Sequence, residues 1–168
     1  MRNNWYGLYV YLLAVSLVAA SSFVGPSVRR SNASADSVQT KHTTSFVVFP
    51  ADTNANPPMA FGGKLMSEMD RCAGITVRRF LYSSTVVHDA VTVAVKDLQF
   101  HKGAAVKDLL FVSGEVVEAG GKSVTVTVIV ERETADLKRE KLLSGTFVFC
   151  AFDLESKKAV VHGVVLPP

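Results

Sequence analysis

The chain has 168 residues, enough for one domain with a sizeable core and a short extension. Its apolar share of 48% and charged share of 20% are those of a globular chain and exclude a disordered one. A net charge of +3 does not signal nucleic-acid binding here, because from Thr44 onward 14 basic residues meet 14 acidic ones. The excess lies earlier, in Arg2, Arg29, Arg30 and Lys41 against Asp36.

Residues 1–22 carry Arg2, an almost unbroken apolar run from Trp5 to Ala20, and then small residues ending at Ser22. That is the n-, h- and c-region order of a secretory signal peptide, cleaved after Ala20 or Ser22, with an uncleaved signal anchor as the alternative. Residues 23–43 are basic, rich in Ser and Thr, poor in acids, and begin with Phe23. This composition fits a plastid transit segment of the bipartite kind. A linker in an ER-lumenal or secreted protein is the other reading, and Asn32-Ala33-Ser34 is a formal glycosylation sequon. The folded part is expected over 44–168.

Taken in order, Thr44–Phe49 is a short β-type run ended by Pro50. Asp52-Thr53-Asn54-Ala55-Asn56-Pro57-Pro58 is a turn-rich stretch in which Asn56 is a turn former. A helix is predicted over Gly62–Leu81, where Leu65, Met69, Cys72, Ala73, Thr76 and Phe80 recur three or four apart. Strands are predicted at Val86–Lys96, Leu109–Glu118, Ser123–Glu133, Leu142–Phe152 and Ala159–Val165, with a hairpin at Gly120-Gly121-Lys122. Arg132–Lys141 is so charged that it reads as a solvated excursion. One helix among five or six antiparallel strands must cover one face of a curved sheet, an α+β arrangement. Cys72 and Cys150 form no CxxC or zinc spacing and read as small buried hydrophobes, so no metal is expected.

The stretch Pro50–Gly74 holds the candidate chemistry. A glycine pair at a helix start, Gly62-Gly63, lets a ligand approach closely and leaves N–H groups pointing outward. Such groups, aided by the helix dipole, can hold negative charge on a carbonyl oxygen. Asp70 lies two turns on, among mostly apolar neighbours where a carboxylate is costly without a task or a partner. It is therefore the candidate general base or nucleophile. The competing reading is a structural acid paired with Arg71 or Arg78, and Gly62 and Gly63 serve equally as packing glycines.

In this stretch DTNAN, FGG and LMSEMDRCAGI, in that order, resemble the hotdog-fold acyl-CoA thioesterases, specifically the bacterial YciA-like and cytosolic acyl-CoA hydrolase group. Asp52, Thr53, Asn54, Gly62, Gly63, Leu65, Met69 and Asp70 stand where that family has the same residues, and the likeness extends more weakly to about Asp153. The resemblance implies a single hotdog domain that hydrolyses acyl-CoA to acid and free coenzyme A, with no cofactor beyond the coenzyme A of the substrate. It implies a homodimer, assembled further into a hexamer, with Asn54 reaching the site from the neighbouring protomer. Lys122 and Ser123 would lie near the nucleotide, with Arg78 and Arg79 as alternatives. Two departures stand out. Phe100–Asp108 keeps the Phe and Asp of the family's Phe-x-x-Pro-Val-x-x-Gly-Asp but lacks its Pro and second Gly, and Pro57-Pro58 stiffens a loop where relatives carry glycine.

An acyl-carrier-protein thioesterase and a non-catalytic acyl-CoA-binding hotdog are the alternatives in function. A dehydratase would need a His–acid pair. The only adjacent one, His88-Asp89, points to opposite faces of a strand.

Overall fold

The computed structural model describes residues 38–167, apart from 55, 83, 85–88 and 154. The apolar leader and residues 23–37 of the basic segment lie outside them. The elements are β1 (Lys41–Val47), α1 (Gly62–Leu81), β2 (Asp89–Phe100), β3 (Leu109–Ala119), β4 (Ser123–Glu133), β5 (Arg139–Asp153) and β6 (Lys158–Ala159). The strands form one sheet in the order β1-β3-β4-β5-β2, with β6 paired to the end of β5. Every ladder is antiparallel. One helix on a six-stranded antiparallel sheet is the expected hotdog.

The core lies between α1 and one sheet face. Along β4 the buried residues are Val124, Val126, Val128 and Val130, alternating with half-buried Ser, Thr and Ile on the other face. From the helix come Leu65, Met69, Cys72, Ala73, Thr76, Val77 and Phe80, one stripe at a period of 3.6. The approach is closest at Gly114 in β3, where a Cβ would lie 2.6 Å from Thr76 Oγ1. Thr76 spends its hydroxyl on the Cys72 carbonyl (2.8 Å), so it is buried without an unsatisfied group.

Several boundaries differ from the sequence reading. β1 begins at Lys41, not Thr44, because residues 41–43 continue the ladder to Glu115, Gly114 and Ser113. His42, expected in the leader, therefore stands on a strand, facing Arg79 at 3.2 Å. β2 runs on to Phe100 through two register shifts. The strand expected over Ala159–Val165 shrinks to Lys158–Ala159. The chain then leaves the ladder, with His162 N–H donating to the Gly121 carbonyl (3.1 Å) and the Ser84 hydroxyl donating to the His162 carbonyl (2.8 Å).

The charged run Arg132–Lys141 is not an excursion. It is the end of β4, a turn over residues 134–138, and the start of β5. Glu131 faces Lys141, Arg132 faces Glu140 and Glu133 faces Arg139. Opposite charges across an antiparallel pair support the ladder, which is why so polar a stretch still forms strands. Arg132 bonds both Glu140 and Asp108, and the Arg139 guanidinium stacks 3.1 Å from the Phe111 ring centre.

Candidate active site

The N-terminus of α1 is framed by its own loop. Phe61 N–H donates to the Asp52 carbonyl (2.8 Å), and a bridge joins Thr53 to Ala60. The amides of Lys64 and Leu65 both turn back to the Phe61 carbonyl (2.9 and 3.2 Å). Among the described residues this leaves Gly62 and Gly63 as the first-turn amides without a backbone acceptor. Asn54 sits in the same loop. Its N–H donates to the Met59 carbonyl (2.9 Å) and its side chain is exposed.

The glycine pair also packs. A Cβ on Gly62 would stand 3.3 Å from the Phe100 ring, and one on Gly63 would stand 2.5 Å from the ring of Phe61. The small side chains thus serve close approach and free the amides together.

Asp70 is not where the apolar neighbours suggested. Its side chain is exposed on the outer face of α1, so no burial cost applies within the protomer. The Thr92 hydroxyl of β2 donates to its Oδ1 at 2.7 Å. The buried acid of this helix is Glu68, 6% exposed, held by Lys64 at 2.8 Å and Arg71 at 3.4 Å. Arg78 pairs with Asp89 at 3.5 Å. Both cations that could have neutralised Asp70 are engaged elsewhere, and Asp70 enters none of the ion pairs among the described residues. Thr92 was missed in the sequence, where it is one more β-branched residue in a strand. Only the packing of β2 beside α1 shows it.

The candidates do not converge within one chain. Gly63 and Asp70 lie seven residues apart on one helix, roughly 10 Å along its axis. A charge-stabilising donor and a base acting on one carbonyl must each come within about 3 Å of the reacting atoms. Lys122 and Ser123 lie at the β3–β4 hairpin, beside the far end of the helix. The Ser123 carbonyl faces His162 Nε2 at 3.4 Å, and that ring packs edge-on against Phe80.

In the loop 100–108 a lysine stands in for the family's glycine. Lys107 takes φ 74° where the pattern has Gly, its N–H donating to the Val48 carbonyl (2.9 Å). The Asp108 carboxylate accepts the Ala105 N–H (2.8 Å) and pairs with Arg132 (3.1 Å). Cys72 is wholly buried, its thiol donating to the Val112 carbonyl (3.3 Å); burial pushes its pKa up to about 11. Cys150 is half-buried. His88 lies outside the described residues, and Asp89 faces Arg78.

Comparison with known proteins agrees with this architecture. Residues 58–138 match the family described as the thioesterase superfamily. The acyl-CoA thioester hydrolase YciA of Escherichia coli is 32% identical over 115 residues, which cover 66% of this chain and 83% of that protein. Among solved structures, an acyl-CoA hydrolase from Staphylococcus aureus, in complex with butyryl coenzyme A, coenzyme A and coenzyme A disulfide, superposes with a TM-score of 0.69 at 27% identity. The match covers 79% of this chain and 77% of that one. The same enzyme has been solved with an asparagine, an aspartate or a threonine changed to alanine. A hexameric thioesterase from Yersinia pestis gives a TM-score of 0.62 at 29% identity, covering 70% of this chain and 92% of that one. With relatives at this identity covered over more than two thirds of their length, the chain belongs to the YciA-like acyl-CoA thioester hydrolases of the thioesterase superfamily.

Proposed function

We propose that this protein is an acyl-CoA thioesterase, hydrolysing acyl-CoA to the free acid and coenzyme A, and that its active site is shared between two protomers. The observation that carries the reading is Asp70, exposed, outside any ion pair among the described residues, and gripped at one oxygen by Thr92. Thr92 leaves Oδ2 for chemistry. In the reaction Asp70 takes a proton from water as the water attacks the thioester carbonyl, or it attacks that carbon itself. The oxyanion is held by the Gly62 and Gly63 amides of the partner, with Asn54 beside them. The C–S bond then breaks. On the general-base route coenzyme A leaves as the thiol, with the proton Asp70 took from water. On the nucleophilic route it leaves as the thiolate, after which water cleaves the anhydride between the acyl group and Asp70, releasing the acid and restoring the carboxylate.

The outer edge favours this pairing. Among the described residues β2 bonds only β5, and its Val91, Val93 and Val95 are 42–58% exposed. An unpaired apolar edge of this kind is a template for a second copy. A two-fold copy sets one helix antiparallel to the other, bringing the amides of one chain toward the aspartate of its partner. Dimers of this kind assemble into a hexamer, as in the relatives described as hexameric. Lys122 and Ser123 then meet coenzyme A bound by a neighbour. Residues 1–37, which precede the folded domain, we read as a leader into the secretory route, with plastid delivery favoured because the enzyme needs a compartment containing coenzyme A. A fluorescent fusion of residues 1–37 tests that address.

Purified protein should release thiol from acyl-CoAs. Asp70→Ala should lower kcat by about 100- to 10,000-fold with its fold intact by circular dichroism. Thr92→Val should lower it less, roughly tenfold, with KM unchanged. Substantial turnover in the Asp70 variant would reject the assignment. Folded wild-type protein inert on every thioester would leave a binding module in place of an enzyme.

A further inference from the structure

Gly74 stands mid-way along α1, where glycine is the least favourable residue after proline. Nothing in the fold demands it. Its φ is not left-handed; among the described glycines only Gly163 has a positive φ. A Cβ placed there would come no closer than 3.8 Å to Phe149, an ordinary contact, in contrast to the 2.6 Å collision at Gly114. What Gly74 borders is a groove of about 240 Å³ between the outer face of α1 and the start of β2. Gly74, Ile75, Leu81 and Ala90 give it an apolar lining, and the charged residues around it are Arg71 and the Arg78–Asp89 pair.

The groove runs on from the candidate base. Gly74 is one helical turn beyond Asp70 on the same face. Ala90 lies two residues before Thr92, on the strand face that turns toward Asp70. The volume is below the ~300–1,000 Å³ of pockets that enclose whole drug-sized ligands, so it suits one segment of a substrate. We propose that this groove receives the acyl chain just beyond the carbon attacked at Asp70, and that Gly74 determines the chain length accepted. The inference rests on the hydrolase reading for the identity of the ligand. An added Cβ at position 74 would make an ordinary contact with Phe149, and a larger side chain there would take up space at the wall of the groove.

The test compares Gly74→Ala and Gly74→Leu with wild type in the full chain, both substitutions raising helix propensity. Two quantities are read. One is the affinity for non-hydrolysable S-alkyl coenzyme A thioethers from ethyl to hexadecyl. The other is kcat/KM on the matching acyl-CoAs. Gly74→Leu should leave the shortest chains unchanged and weaken the longest by roughly tenfold to a hundredfold, as two or three methylenes lose their apolar contact. Gly74→Ala should fall between. A loss equal at every length, or none, overturns the proposal. So does a changed oligomeric state of Gly74→Leu by light scattering, which would make the groove a face against a second copy. Length-dependent thioether binding without wild-type turnover would sink the hydrolase reading and leave the groove assigned. Turnover with no length effect would do the reverse.

Discussion

Lys107 holds a left-handed φ of 74° in the loop leading to β3. That conformation costs a residue with a Cβ roughly 1–2 kcal/mol, part of which glycine would return as entropy lost on folding. Lys107→Gly should therefore stabilise the protein by about 0.5–1 kcal/mol in urea unfolding. Cys72 sets a limit at high pH. Its thiol stays protonated in the fold to about pH 11 but ionises near 9 once unfolded. Below pH 9 both states hold the proton and stability is unaffected. Between 9 and 11 the unfolded chain binds fewer protons, so stability falls as pH rises, by at most about 3 kcal/mol. Cys72→Ala should flatten that part of the pH profile of Tm. Of the residues in the candidate site, Asp70 and the glycine pair were visible in the sequence because their order is distinctive. Thr92 and Glu68 were not, since burial and partners depend on which strand lies beside the helix.

At the scale of elements, α1 and β3 meet where one glycine makes room. Gly114→Ala would drive a Cβ against Thr76 Oγ1, a β-branched side chain fixed by its bond to the Cys72 carbonyl. A loss of about 1–3 kcal/mol in ΔG of unfolding is expected, as for other overpacked cores. The helix was legible because its apolar stripe persists for 20 residues. β4 was legible over its whole length and β5 from Leu142 onward, but the start of β5 at Arg139–Lys141 was not, because its polarity conceals a ladder supported by opposite charges. The end of the chain was misread in the other direction. Ala159–Val165 has strand composition but runs past the ladder, held by the Gly121 carbonyl and Ser84.

At the scale of the whole molecule, the proposed site, split by the separation along α1, makes activity a property of two chains. Asp70→Ala and Gly63→Pro should each inactivate the homodimer, the second by deleting the position-63 N–H proposed to hold the oxyanion. When the two inactive proteins are unfolded together and refolded, mixed dimers regain one site with an intact aspartate and intact amides. Thiol release should then return to about a quarter of wild type, half the dimers being mixed and each carrying one working site of two. A mixture that stays inactive would place both halves of the site on one chain.

The amino-acid sequence by itself determined the class of fold and the family, and marked out the candidate reactive residues. Apolar periodicity selects a helix or a strand locally, and a run such as DTNAN through FGG to MD is specific enough to name a family. It could not determine which groups are close. That Asp70 is exposed and gripped by Thr92, that Arg71 and Arg78 are taken by other acids, and that β2 is left as an apolar edge follow only from packing. Partners along a chain are set by spacing, but partners across a sheet and a helix face are set by register, and register is decided by the whole fold at once.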